Sequence, residues 1–122
     1  MARLPRSLRR VVDRYVRAFA PDRITLFGSY AKGTDQPCSD IDLLIVADLV
    51  GDASIHLRRA HQLAMDCFPP VDVIFATTEE IEQSMVDRNP FLFSILGTGI
   101  TLYERDQPTD AFQGIAAMPS LQ

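Results

Sequence analysis

The chain lacks an excess of positive charge, a dense cysteine set and a long apolar run, and each absence narrows what it does. Its 122 residues carry a net charge of −4, so as a whole it is not built to coat nucleic acid, and direct nucleic-acid binding is not expected. The two cysteines, Cys38 and Cys67, have no close spacing, no second pair and no histidine pattern beside them. They read as reduced thiols, Cys67 in the core, rather than a disulfide framework or a zinc site. No apolar run approaches the roughly 20 residues of a membrane span. The N-terminus is charged where a secretory leader would be apolar, so the expected location is the cytoplasm, away from any membrane. No internal repeat or low-complexity block is visible.

What is present describes a folded domain. Apolar residues make up 47% and charged ones 23%, an ordinary balance for a globular protein, and the length suffices for one domain with a real core. Leu8, Val11, Val12, Tyr15, Val16 and Phe19 recur at spacings of three and four, which predicts an amphipathic helix over residues 6–19. Arg3, Arg6, Arg9, Arg10, Arg14 and Arg17 crowd this segment; a solvated helix face is the simpler reading, a landing surface for an acidic partner or an RNA the sharper one. A β-rich run spans residues 23–27 and stops at Gly28. Ser29 to Lys32 reads as a helical turn, followed by turn signals at Gly33-Thr34-Asp35 and Pro37. Residues 41–46 form a nearly continuous apolar run, hence a buried strand.

Gly51 and Asp52 introduce a helix over 53–67 whose apolar stripe includes Ile55, Leu63, Ala64 and Cys67. Pro69-Pro70 ends it, and residues 71–75 make a third strand. Thr77 with Glu80 three positions on is a capping box for a short helix to Val86. Asn89-Pro90 starts another, over 91–96, and residues 100–104 make the last strand. The expected fold is α/β (α+β): a mixed sheet of about four strands with helices packed on it. It occupies residues 1–105, with 106–122 a C-terminal tail that is loose or ordered by a partner.

The chemistry lies in Gly28-Ser29, ten residues, then Asp40-Ile41-Asp42, and later Val71-Asp72-Val73. Successive strand side chains alternate faces, so Asp40 and Asp42 project to one side at a strand end. Asp72 lies on a second apolar strand that a sheet can set alongside. Three carboxylates on one face repel each other, and a divalent cation relieves them. Oxygen-only ligands suit Mg²⁺ or Mn²⁺ rather than zinc, and two such ions ~3.5–4 Å apart clamp an in-line phosphoryl displacement. Gly28 lets backbone approach a phosphate, Ser29 adds a hydroxyl at the start of a helical turn, and the sole lysine, Lys32, can offset triphosphate charge. Each element alone is common; their joint occurrence in this order is what carries weight.

This arrangement resembles the signature of the DNA polymerase β-like nucleotidyltransferase superfamily. The run from Phe27 to Val46 is similar to that of the minimal nucleotidyltransferases that form the antitoxin half of two-gene toxin–antitoxin modules. Val71-Asp72-Val73 stands at the place of the family's third metal-binding aspartate, and Gly97 to Glu104 resembles its final strand. The resemblance covers roughly residues 6–105, though only the motif is specific. It implies a polymerase β-like fold and transfer of AMP, or another nucleoside monophosphate, from ATP or another NTP. Asp40, Asp42 and Asp72 would be catalytic and hold two Mg²⁺ ions. The implied acceptor is a tyrosine of a small helical HEPN-type toxin, which modification would silence. Two departures stand out. The arginines the family often carries after the serine are replaced here by Tyr30, Ala31 and Lys32. The chain also has no helical acceptor-binding domain of the kind found in aminoglycoside nucleotidyltransferases, so a small-molecule acceptor is disfavoured and an acceptor site borrowed from another chain is expected.

A reading from another class stays open: a non-catalytic antitoxin that neutralises its partner by covering it. Its surface would be the tail and an exposed part of Phe91, Leu92, Phe93, Ile95 and Leu96. That cluster is otherwise expected in the core or at an interface between copies. His56 and His61, five apart, do not share the face a metal pair needs and read as surface or boundary residues. Asp48, Asp52 and Asp66 read as solvated, and Tyr15, Tyr30 and Tyr103 as packing residues.

Overall fold

In a computed structural model of the chain, residues 5–33 and 40–105 are described. Arg3, Thr34, Asp35, Pro37, Cys38 and the tail 106–122 lie outside them. The elements are α1 (Arg6–Phe19), β1 (Arg23–Phe27), α2 (Ser29–Lys32), β2 (Ile41–Val46), α3 (Ala53–Leu63), β3 (Val71–Ala76), α4 (Thr78–Asp87), α5 (Pro90–Thr98) and β4 (Ile100–Glu104). The four strands form one sheet in the order β3-β2-β1-β4. β1 runs antiparallel to β2 and β4. β2 and β3 are parallel, joined through α3 as a parallel pair requires. Among the described residues no helix is long and apolar enough to cross a membrane.

The sheet is covered on both faces because β2 is apolar on both. Ile41, Leu43 and Ile45 point toward α1 and α3, where Leu8, Val11, Val12, Tyr15, Phe19 and Ala60 complete the larger core. Leu44 and Val46 point the other way, to a smaller core closed by Ala76 and Ile95, with Phe27, Ile74, Ile81 and Leu92 around it. The Tyr15 hydroxyl donates to the Ala60 carbonyl at 2.8 Å, so this buried phenol has its polar partner, and burial pushes its pKa up.

The capping box at Thr77 forms as its spacing requires: the Thr77 hydroxyl accepts from the Glu80 N–H at 3.0 Å and the Glu80 carboxylate from the Thr77 N–H at 2.8 Å. Several expectations are corrected. α3 ends at Leu63 rather than at 67. Beyond it the chain tightens into three-residue turns, with N–H groups of Ala64, Met65 and Cys67 bonding to His61, Gln62 and Ala64. Pro69, two residues past Cys67, disfavours helical backbone before it. Ile55 is exposed rather than part of the stripe, while Ala64 and Cys67 are buried. Asp66 is not simply solvated. It receives Arg14 at 2.6 Å and Arg10 at 3.5 Å, and the Arg14 guanidinium also donates to the Leu63 carbonyl at the end of α3. Asp52 caps α3 by accepting from the Ser54 N–H at 2.9 Å. Phe91 and Phe93, expected in the core, are 53% and 43% exposed, because α5 covers the sheet with one side only.

Candidate active site

The site begins with a register. Asp42 of β2 lies directly opposite Asp72 of β3, and on its other side opposite Phe27 of β1. Alternation puts Asp42 on the same face as Leu44 and Val46, and Asp72 on the same face as Ile74 and Ala76. Both carboxylates therefore stand on the face covered by α4 and α5. Asp40 immediately precedes β2 with the same parity as Asp42.

Gly28 closes the site from the β1 side. Its backbone lies at φ 78°, ψ −153°, a combination essentially confined to glycine, and a side chain there would run into the Asp42 carboxylate. The residue is glycine for two reasons at one point: the turn out of β1 and the approach of backbone to carboxylate. Ser29 starts α2, which lasts only to Lys32, and the Lys32 N–H bonds back to the Gly28 carbonyl at 3.1 Å. Ser29 is half-buried and the Lys32 side chain exposed.

Crowding of charge is felt most at Asp42. Asp42 is half-buried, and its pKa is raised first by loss of water and then by the charges of Asp72 and Asp40. Asp22, Asp66 and Glu104 each have an arginine partner. Among the described residues, no arginine or lysine pairs with Asp40, Asp42 or Asp72. An acidic set that excludes protein cations yet crowds its own charges suits a hard divalent ion. Among the described residues no three His, Cys, Asp or Glu side chains converge into a complete ligand cluster. The fit thus rests on the donor chemistry and the uncompensated charge.

His61 is exposed, and the ring of His56 packs 6.4 Å from both Phe19 and Phe75, with Nε2 2.8 Å from the Val50 carbonyl. Both histidines lie on α3, which packs on the sheet face opposite the one that carries Asp42. The reading of the sequence missed the aromatic neighbours of the site. Phe27 stands opposite Asp42, and Phe91 meets Phe27 edge-on with ring centroids 6.2 Å apart. The position of Phe27, one residue before Gly28, was the available signal; nothing local marks Phe91.

No curated protein matches the chain. Among solved structures, a Sulfolobus solfataricus protein described as a candidate nucleotidyltransferase is 20% identical, with 84% of this chain and 81% of that one covered at a TM-score of 0.54. A toxin–antitoxin structure with AMP-PNP is 26% identical over 93% of this chain and 88% of that one, TM-score 0.51. A tyrosine-to-alanine mutant of the toxin–antitoxin MntA–HpeT is 26% identical over 98% and 90%, TM-score 0.50. Residues 12–108 match the family described as polymerase beta, nucleotidyltransferase, and the mixed sheet with its Gly28, Asp42 and Asp72 corner is the fold those residues build. The chain belongs to the polymerase β nucleotidyltransferase family.

Proposed function

We propose that the chain is an Mg²⁺-dependent protein adenylyltransferase that moves AMP from ATP to a tyrosine hydroxyl of a partner HEPN-type toxin and so acts as its antitoxin. The observation that carries this reading is the in-register pair of Asp42 and Asp72, with Asp40 one strand step before and Gly28 pressed against Asp42. Likeness to two toxin–antitoxin structures, one with AMP-PNP, supports the partner and the nucleotide.

In this mechanism Asp40, Asp42 and Asp72 would hold the Mg²⁺ ions. The ions, when bound, supply charge neutralisation at the reacting phosphoryl group. The Gly28 backbone and the Ser29 hydroxyl orient the β- and γ-phosphates, and Lys32 offsets part of their charge. Asp72, the more exposed of the facing pair, lies on the acceptor side and accepts the proton of the incoming hydroxyl. That oxygen bonds to the α-phosphorus as the bond to the bridging oxygen breaks, and pyrophosphate leaves. Positioning and charge neutralisation provide most of the acceleration.

A second reading is favoured by one observation, the exposed apolar side chains Met85, Val86, Phe91 and Phe93 on α4 and α5, which suit a module that neutralises its partner by covering it. One experiment separates the two. The protein is co-purified with the product of its neighbouring gene and incubated with Mg²⁺ and ATP labelled in turn at the α- and γ-phosphate. The enzyme reading expects α-label on the partner and none with the Asp40→Asn/Asp42→Asn variant. A stable complex that accepts no label from any NTP leaves the binding module.

A further inference from the structure

Phe91 is an anomaly on the surface. It is the second residue of α5, a helix without a charged residue, yet the residue is 53% exposed. It is not loose. Its backbone N–H donates to the Asn89 cap at 2.9 Å, and its ring stands edge-on against Phe27 at 88° and 6.2 Å. Phe27 in turn is fixed on β1 directly opposite Asp42, on the same sheet face. The two rings thus form an aromatic step that starts beside Asp42 and ends in solvent.

We infer that Phe91, braced by Phe27, is the platform on which the base of the bound nucleotide stacks. The inference rests on the nucleotidyltransferase reading and gives it a base subsite. An exposed ring beside a phosphate site suits a nucleobase because every base has a π-face to lay on it. Continuity with the catalytic corner favours a base over a protein side chain, since the step begins at Phe27 and not at a remote patch. Phe93 is also exposed, but two residues along a helix it projects from nearly the opposite side, which makes it the natural control.

The chain contains no tryptophan, so Phe91→Trp installs a single indole at the platform and Phe93→Trp one away from it. With Mg²⁺ present, ATP is expected to quench the Phe91→Trp emission while inorganic tripolyphosphate does not, and the Phe93→Trp emission is expected to respond to neither. By calorimetry, Phe91→Ala is expected to weaken ATP binding about tenfold and leave tripolyphosphate affinity unchanged. Unchanged ATP affinity in Phe91→Ala overturns the platform while leaving the transferase reading intact. An indole at position 91 that responds to the partner protein but not to ATP does the same. A wild-type chain that binds neither ATP nor tripolyphosphate sinks the transferase reading itself, and the platform with it.

Discussion

Asp42 carries a cost that its neighbours do not share. Its carboxylate is half-buried, faces Asp72 across the ladder and has Asp40 one strand step away. Folding raises its pKa, so stability is highest where the group is protonated, falls as pH rises through the interval between its ordinary and raised values, and bears the full penalty at neutral pH. Asn in that place keeps the shape and removes the charge. Asp42→Asn is expected to stabilise the metal-free fold modestly, because water still screens a half-buried group. The same change is expected to lower adenylyl transfer about a thousandfold, since several kcal/mol of transition-state charge stabilisation goes with the ligand. Thermal unfolding in EDTA and α-label transfer measure the two effects; a destabilised Asn variant would show that the carboxylate is held by contacts rather than endured for function. Gly28 belongs to the same compromise, because its left-handed backbone brings the chain against Asp42 where any side chain would collide.

Among the elements, α1 and α4 were legible from local pattern and α3 only in part. A capping box spans four residues, and a stripe of Leu8, Val11, Val12, Tyr15 and Phe19 spans about three turns, so both are written where they act. The end of α3 is decided elsewhere, by Pro69 and by Arg14, which bonds to the Leu63 carbonyl from 49 residues away. Nothing near Asp66 announces that two arginines of α1 will meet it, and the arginine-rich face of that helix is therefore partly used within the chain. Arg14 holds the Asp66 carboxyl at about 2, well below its ordinary value of 3.8. A carboxyl lowered on folding stabilises above its ordinary value and loses that contribution as pH falls toward the folded one. Wild type is therefore expected to unfold at a higher temperature than Asp66→Asn at pH 6, with the gap closing between about pH 4 and pH 2. A gap that does not vary with pH would mean that Asp66 acts through geometry alone.

At the scale of the molecule, alternation along β2 and β3 was enough to set Asp42 and Asp72 on one face, but not to say what stands beside them. α5 reads as buried because it is apolar all round, yet only Leu92 and Ile95 face the sheet core, and Phe91 and Phe93 flank that side from opposite directions, each partly in solvent. Arginines pair with Asp66 just past α3 and with Asp22 and Glu104 at the far sheet end, while among the described residues none pairs with the acidic corner. A divalent ion that binds this corner in the folded state alone should stabilise the whole chain by mass action, about 2.7 kcal/mol at a hundredfold excess over its dissociation constant. For a domain of this size that is a rise of several degrees in Tm. Wild type is expected to show it on titration with Mg²⁺ or Mn²⁺, and Asp42→Asn and Asp72→Asn to lose most of it while starting from a Tm in EDTA no lower than that of wild type. Differential scanning fluorimetry across a metal series reads the result directly. An equal shift in all three proteins would put the ion elsewhere on an acidic surface, and no shift in wild type would mean that the corner takes its metal only together with the nucleotide, whose triphosphate then supplies the missing ligands.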